Sequence, residues 1–498
     1  MKTAIRLTAA IFLVAASNLS AALVFVSATS PSPTPPYNSW ATAAHSIQDA
    51  VNVAVPGDQV IVTNGVYPGG LALNKPVNLL SLNGPEFTVI DASLVVGFDN
   101  RCVTLTNGAS LSGFTLTQGP YPEGYPDEGG GLWCATTNAF VTNCMIINNR
   151  ARNHGGGAYG ATLYNCTLTR NNATNGSGGA YGSTLVNCTL STNLAGAVNS
   201  CTLFNCSLIG NTQYGGGAVL STLYNCLLIG NGTGSFNNGI FSGGAASSTL
   251  YNCTLTRNNY GAASSMLNNC IVYDNPINYD PYDPYSSPCT FNYCCTTPMP
   301  TNGLGNITNA PLFVSPDTGD FHLQPASPCI NSGNNAFVFG TTDLDGQQRI
   351  VGGTVDIGAY EFPGSGSVIS YAWLQQYGLP TDGSADFADT DGDGRNNWQE
   401  WICGTSPTNS LSVLRMLSAT VAATNVNVTW QSVTGVKYFL ERRPNLNSLV
   451  NTTNIVFGGT NIAVIATNIV GQAGTTTYAD SYDTGSRQFF YRVGVQPQ

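Results

Sequence analysis

The chain contains 498 residues, of which only 8% are charged, and its formal net charge is −10 at pH 7. This length predicts more than one domain. The acidic balance and the absence of a basic cluster argue against nucleic acid as a partner. No segment after residue 22 is apolar for long enough to span a membrane.

The first 22 residues have the pattern of a secretory signal peptide. Lys2 and Arg6 precede an apolar run over residues 7–16, and small residues follow as far as Ala22. This apolar run is too short for a membrane anchor. We therefore expect a bacterial protein that is exported, cleaved after Ala22 or alternatively after Ala28, and located outside the cell or on its surface.

Residues 23–70 carry the elements of a cap and a first coil. The segment 40–51 has the pattern of a short amphipathic helix, and it is followed by a strand over 59–63 and a turn at Gly65-Val66-Tyr67. A helix in this place would cover the open edge of a sheet and the end of an apolar core, both of which otherwise promote aggregation.

The dipeptide Asn-Cys occurs seven times between residues 143 and 270, at steps of 17 to 27 residues. An aliphatic residue stands two positions before each Asn and another stands three positions after it, while a second Asn follows six positions later. Steps of this size are typical of solenoid repeats. The seven bend residues are Asn143, Asn165, Asn187, Asn205, Asn225, Asn252 and Asn269.

Each repeat predicts two short strands that meet at a bend. The pattern Leu-x-Asn-Cys-x-Leu alternates buried and exposed positions and is interrupted once, at the Asn. Asn tolerates a left-handed backbone, and its amide both donates and accepts, so equivalent Asn residues on stacked coils can hydrogen-bond in a column. We predict an all-β chain whose main domain, residues 23–362, is a right-handed parallel β-helix with its ladder repeats at 129–275.

The chain has 15 cysteines, seven of which belong to the Asn-Cys dipeptides. In a stacked column their side chains would lie parallel instead of facing one another, so we expect reduced, small, buried packing groups. Four cysteines outside the repeats are better candidates for disulfides in an exported protein. They are Cys289, Cys294, Cys295 and Cys329.

Residues 276–362 contain the motifs of final coils and a terminal segment, including 343–349 and 355–361. Together with the cap, these motifs resemble secreted bacterial right-handed β-helix proteins of the pectate-lyase-like superfamily. The Gly-Gly-Ala and Leu-x-x-Asn elements resemble the repeats of chlamydial polymorphic outer-membrane proteins. The resemblance covers residues 23–362 and implies the fold, but that superfamily includes lyases, hydrolases, epimerases and adhesins, so it implies no single activity.

Residues 363–410 combine a Gly/Ser linker with a twelve-residue motif, 389–400, that fits the EF-hand-like calcium loop. Acids occupy its first, third and fifth positions, Gly its sixth and Glu its twelfth. Carboxylates packed this closely repel unless a divalent cation neutralises them. The motif resembles thrombospondin type 3 and dockerin modules, and we expect a structural Ca²⁺ that stiffens a joint between domains. Its predicted ligands are Asp389, Asp391, Asp393, Arg395 through its carbonyl, Asn397 and Glu400.

Residues 411–498 alternate short strands with turn residues. The predicted strands are 426–430, 437–441, 461–467 and 488–495. About 90 residues with few charges suit a fibronectin type III-like or immunoglobulin-like β-sandwich, which mostly serves as a spacer or binding module.

The central coils lack the acids that polysaccharide chemistry requires. Glycosidases need two carboxyl groups, and calcium-dependent lyases need acidic ligands and a base. No Asp or Glu occurs between Glu128 and Asp274. A site acting on an acidic polysaccharide could form only at the flank, where surface charge pairing is the simpler interpretation. Its candidate residues are Glu123, Asp127, Glu128, Arg150, Arg152 and His154.

Aromatic residues suggest a binding function instead. The residue before the bend Asn points outward, and in four coils it is aromatic: Tyr164, Phe204, Tyr224 and Tyr251. Such a column could contact a sugar chain, although aromatics that cover one another or lie under loops are the simpler explanation. We expect a monomeric, non-catalytic protein that binds a polysaccharide or cell-surface glycan. The alternative is a polysaccharide lyase or glycoside hydrolase of the same superfamily.

Overall fold

A computed structural model describes most of the chain. It divides into two compact units, one that ends at Phe362 and excludes 352–354, and one made of 352–354 and the chain from Pro363 onward. The predicted signal peptide lies almost wholly outside the described residues. These are 21–95, 101–106, 108–119, 128–135, 138–212, 215–232, 243–279, 288–364, 366–422, 425–443, 463–481 and 490–495.

The first unit is built from three parallel sheets, named A, B and C here, in which each strand pairs with the equivalent strand of the next coil. This arrangement confirms the predicted right-handed parallel β-helix. Sheet A contains Leu23–Val26, Gln59–Val62, Asn78–Ser81, Ser110–Ser112, Phe140–Thr142, Thr162–Tyr164, Thr184–Val186, Thr202–Phe204, Thr222–Tyr224, Thr249–Tyr251, Met266–Asn268 and Thr290–Asn292.

Sheets B and C complete each coil. Sheet B contains Gly65–Pro68, Thr88–Asp91, Thr115–Thr117, Met145–Ile147, Thr167–Thr169, Thr189–Ser191, Ser207–Ile209, Leu227–Ile229, Thr254–Thr256, Ile271–Tyr273 and Cys295–Thr296. Sheet C contains Leu71–Leu73, Val103–Leu105, Leu132–Cys134, Ala158–Tyr159, Ala180–Tyr181, Val198–Asn199, Gly216–Val219, Gly243–Ala246 and Ala262–Ala263. A small parallel pair, Arg150–Ala151 with Asn172–Ala173, lies beside them.

The bend between sheets A and B is a single residue in the left-handed conformation, as predicted. All seven bend Asn residues have φ between 51° and 53°. One such residue reverses the inward and outward alternation, so that the Leu before it and the Cys after it both point into the core. Gly157, at the sheet C corner, is required for close coil contact, because a Cβ there would lie 2.7 Å from the Gly179 carbonyl oxygen.

The predicted amide column forms mainly at the second Asn of each repeat. Each of these side chains donates to the Oδ1 of the equivalent Asn on the next coil, and that oxygen also accepts the backbone N–H of the donating residue. Asn193 Oδ1, for example, accepts from Asn171 Nδ2 at 3.1 Å and from the Asn171 backbone N–H at 3.0 Å. At the bend itself, neighbouring amides pair only at Asn225 with Asn205 and at Asn269 with Asn252. The continuous ladder comprises Asn149, Asn171, Asn193, Asn211, Asn231, Asn258 and Asn275.

The cysteine column is buried and reduced, as predicted, but it is longer than predicted. The backbone N–H of Cys270 donates to Cys294 Sγ at 3.3 Å, so Cys294 continues the column. The prediction that placed Cys294 outside it is therefore wrong. The other three disulfide candidates, Cys289, Cys295 and Cys329, are also buried free thiols in the structure.

Short helices and irregular segments close the first unit. The predicted cap helix is split into a 3-10 turn, Trp40–Thr42, and an α-helix, Ile47–Val53, whose first turn is capped by the Ser46 hydroxyl. The backbone of 37–44 hydrogen-bonds the outer edge of the first sheet A strand. Further 3-10 turns are Ala92–Leu94, Pro316–Thr318 and Asn335–Phe337, and the antiparallel hairpin pairs Phe313–Ser315 with Asp320–Leu323.

The second unit begins with two α-helices, Tyr371–Gln376 and Asn397–Cys403. Two antiparallel three-stranded sheets follow, which confirms a small all-β domain, while its fibronectin type III-like class stays a prediction. Among the described residues, no helix is long and apolar enough to cross a membrane. The strands of one sheet are Met416–Ala422, Asn425–Ser432 and Gly474–Ser481, and those of the other are Ala463–Val470, Lys437–Arg443 and Phe490–Val495.

Candidate functional site

The acidic loop of the second unit brings three carboxylates together. One oxygen from each of Asp389, Asp391 and Asp393 lies within 4.8 Å of the others. Backbone hydrogen bonds fold the loop around the Asp389 carboxylate, which accepts from the N–H groups of Gly392 and Gly394 at 2.9 Å each. Without a cation, three carboxylates this close repel one another.

Several oxygen atoms of this loop are buried and lack a hydrogen-bond donor. They belong to Asp391, Asp393, Asn397 and Glu400, and the last two residues are 0% exposed. Asn397 uses its amide nitrogen on the Ala385 carbonyl, which leaves its Oδ1 unpaired. Buried oxygen atoms without donors are expensive unless a cation takes the donor's place, so this set fits a hard divalent ion such as Ca²⁺.

The charge state of the loop supports the same reading. Burial, and then repulsion from Asp391 and Asp393, raises the pKa of Glu400 to about 7. A bound divalent cation would reverse both effects. The backbone N–H of Arg395 donates to the Asp393 carboxylate at 2.8 Å. This bond keeps the seventh position of the loop close to the acidic cluster.

The predicted aromatic column on sheet A forms in part. The rings of Phe204, Tyr224 and Tyr251 stack at successive centroid distances of 5.0 Å, and their planes differ by only 6° and 7°. Their faces therefore contact one another. Phe339 packs against the column, 4.6 Å from Tyr224. Tyr164 is separated from it by Val186 and instead lies 6.4 Å from the ring of Phe140.

A second aromatic row, which sequence reasoning missed, lies on sheet C. Trp133, Tyr159 and Tyr181 occupy equivalent positions on three successive coils. All three are partly exposed, and the two tyrosine rings are parallel at 5.6 Å. We call these residues the sheet C row. Its sequence signal is an aromatic residue two positions after paired glycines, as in Gly156-Gly157-Ala158-Tyr159.

Charged and polar side chains flank the sheet C row. The Arg101 guanidinium lies 5.6 Å from the centroid of Trp133, and the His154 ring stacks on Tyr181 at 4.2 Å. Burial, and then the adjacent Glu128 carboxylate, raises the pKa of Tyr159. The row thus combines ring edges, two phenol groups, a cation, an imidazole and a carboxylate on one surface.

The structure brings together two of the six catalytic candidates. Glu128 and His154 pair across neighbouring coils through a parallel bridge. Arg150 belongs to the small parallel pair, and the side chains of Arg150 and Arg152 are exposed, with neither an ion pair nor a hydrogen bond among the described residues. The remaining two candidates, Glu123 and Asp127, lie outside the described part of the chain.

Comparison with known proteins finds fold similarity at low identity. No family model and no curated protein matches the chain. The pectate lyase Pel9A is 16% identical over 69% of this chain and 97% of its own, with a TM-score of 0.45. A pectin methylesterase from Aspergillus niger is 10% identical over 60% and 94%, with a TM-score of 0.28. A PL6-family alginate lyase is 12% identical over 70% and 60%, with a TM-score of 0.30. None of them assigns an activity to this chain.

Proposed function

We propose that this protein is an exported, non-catalytic β-helix protein that binds a glycan through the sheet C row. The observation that carries this proposal is the alignment of Trp133, Tyr159 and Tyr181 in register, with Arg101 and His154 at the ring faces. Glycan sites pair aromatic surface with a few fixed polar groups.

The row suits a glycan better than the sheet A column does. On both surfaces the rings stack on one another, and on sheet A Phe339 also packs on the rings of Phe204 and Tyr224. On sheet C, the phenol groups of Tyr159 and Tyr181 and the Glu128 carboxylate offer donors and acceptors to sugar hydroxyls. Successive coils lie about 4.8 Å apart, so a chain running along the axis would meet similar groups at each step.

The alternative activity, a lyase or hydrolase, requires groups that this surface holds in other roles. The ring of His154 stacks on Tyr181, and its Nδ1 is buried without a partner. Glu128 is the only acid from residue 128 to residue 273, so the described coils in that range hold a single carboxylate, and a second would have to come from Glu123 or Asp127, which lie outside the described residues. A glycosidase needs such a pair, and a calcium-dependent lyase needs several acidic ligands.

Binding to a panel of neutral and uronate-containing polysaccharides tests the proposal. Tyr159→Leu/Tyr181→Leu should weaken retention at least about tenfold, because it removes both phenols while keeping apolar bulk. The matched comparison is Tyr224→Leu/Tyr251→Leu on sheet A. Loss of retention only in the sheet A variant would refute the sheet C site. Release of unsaturated products or reducing ends that Glu128→Gln abolishes would establish the enzyme instead.

The acidic loop adds a structural role to this proposal. Asp389, Asp391, Asp393, Asn397 and Glu400 would hold Ca²⁺ through side-chain oxygens, with the carbonyl of residue 395 in the seventh position. The buried oxygens without donors support this assignment. The ion would neutralise the loop and stiffen the segment between the β-helix and the β-sandwich.

A further inference from the structure

The bend Asn residues between sheets A and B form a row whose two halves differ in exposure. Asn143, Asn165 and Asn187 are exposed. Their counterparts in the last three coils of the row, Asn225, Asn252 and Asn269, are 3%, 0% and 0% exposed. The backbone conformation is the same in both halves, with φ of 51° to 53°. What differs is the presence of a covering segment.

Residues 332–342, which we call the strap, cover the second half of the row. The strap runs back across the coils towards the N-terminal end, and the bend amides donate to its backbone carbonyls. Asn269 donates to the Asn334 carbonyl at 2.9 Å, Asn252 to the Phe337 carbonyl at 3.3 Å and Asn225 to the Thr342 carbonyl at 3.0 Å. In return, the Asn334 backbone N–H donates to Asn269 Oδ1 at 2.8 Å.

The strap also contributes an aromatic side chain. Phe339 packs on Phe204 and Tyr224, with ring centroids 5.3 and 4.6 Å apart. The strap itself contains no charged residue between Ser332 and Thr342. The covered half of the row therefore binds an uncharged polypeptide segment by two features, amide-to-carbonyl hydrogen bonds and one inserted aromatic ring.

The open half offers both features without an occupant among the described residues. The side-chain amides of Asn143, Asn165 and Asn187 make no hydrogen bond in the described part of the chain. Beside them, Phe140 is 44% exposed and its ring lies 6.4 Å from that of Tyr164. The bend backbones are in register on successive coils, so binding would order only the partner segment and three Asn side chains.

We propose that this open half binds an uncharged polypeptide segment with an aromatic residue, supplied by another molecule, in the manner in which the strap binds the covered half. One continuous row of identical bends changes from buried to exposed where the strap ends, so both halves offer the same binding groups. This site is separate from the sheet C row and does not depend on glycan binding there.

A fluorescein-labelled peptide with the sequence of residues 332–342 is the probe, and its anisotropy is measured against the full chain. The test variant is Asn143→Gly/Asn165→Gly/Asn187→Gly. Glycine adopts the left-handed conformation without strain, so the variant removes three amides and keeps the bends. The matched control is Asn148→Gly/Arg170→Gly/Thr192→Gly, which changes exposed left-handed residues of the next bend on the same three coils.

The peptide should bind the wild type and the control equally, and the test variant should raise its Kd at least about tenfold. A peptide with both phenylalanines replaced by alanine should also bind more weakly. Absence of saturable binding would overturn the proposal. So would unchanged binding to the test variant, since that result would mean exchange with the strap on the covered half.

Discussion

Replacement of Asn193 by alanine tests whether the amide ladder stabilises the β-helix. Asn193 is 0% exposed and its side chain takes part in four hydrogen bonds. Its Nδ2 donates to the Leu168 carbonyl and to Asn211 Oδ1 at 3.0 and 2.9 Å, and its Oδ1 accepts from the N–H and the Nδ2 of Asn171 at 3.0 and 3.1 Å. All four bonds disappear in Asn193→Ala.

The expected loss of stability depends on which hydrogen-bonding groups are left with no partner after the substitution. Asn211 Oδ1 keeps the backbone N–H of residue 193, and Asn171 Nδ2 keeps the Ile146 carbonyl. The backbone N–H of Asn171 is left buried and unpaired. One such group costs about 2 kcal/mol and the three other lost bonds cost somewhat under 1 kcal/mol each, so we expect a loss of about 4 kcal/mol.

The shift in urea midpoint, followed by far-UV circular dichroism with a common m-value, measures this difference in unfolding free energy. Asn175→Ala is the control, because Asn175 makes its hydrogen bond to Asn153 at an exposed site, and such a change costs within about 0.5 kcal/mol. If Asn193→Ala shifted stability no further than the control, the ladder would contribute specificity of register at most, and the hydrogen-bond reasoning would be wrong.

Two further predictions concern charge. Calorimetry should show one Ca²⁺ bound per chain, and Glu400→Gln should weaken it at least about tenfold, because the ion loses its twelfth-position carboxylate; equal affinity of the two proteins would contradict the loop assignment. Burial raises the pKa of Asp356 to about 7 and that of Glu361 to about 8 in the folded protein. These acids therefore stabilise the fold below their unfolded pKa, and this contribution is lost as pH rises through their folded pKa values. The melting temperature of the first unit should therefore fall between about pH 5 and about pH 8, and Glu361→Gln should flatten the profile; an unchanged slope in that variant would exclude Glu361 as a source.

The local sequence pattern was sufficient to predict the β-helix, because the residues that determine each coil lie within one repeat. The alternation around each bend Asn predicts which side chains enter the core, and every bend has the left-handed φ that the residue type allows. Strand pairing then follows from repetition, since like residues stack in register. The same reasoning failed at Cys294, because its coil lacks the Asn-Cys dipeptide and Tyr293 takes the left-handed position instead.

The candidate surfaces were predicted less completely. Outward alternation correctly placed Phe204, Tyr224 and Tyr251 in one column, but it could not show that their faces contact one another and Phe339. The sheet C row has a repeated signal, an aromatic residue two positions after paired glycines, but its flanking groups do not, because Arg101 and His154 reach it from connecting segments of unequal length.

The sequence by itself determined the repeat, the bends, the core columns and the acidic loop, because each depends on residues within about one coil of one another. Only the tertiary structure decided which outward surfaces are covered. The strap contacts bend amides that lie 65 to 117 residues earlier in the chain. No local pattern encodes a contact over that separation, because it depends on where the last coil ends and how the chain turns back over the finished rod.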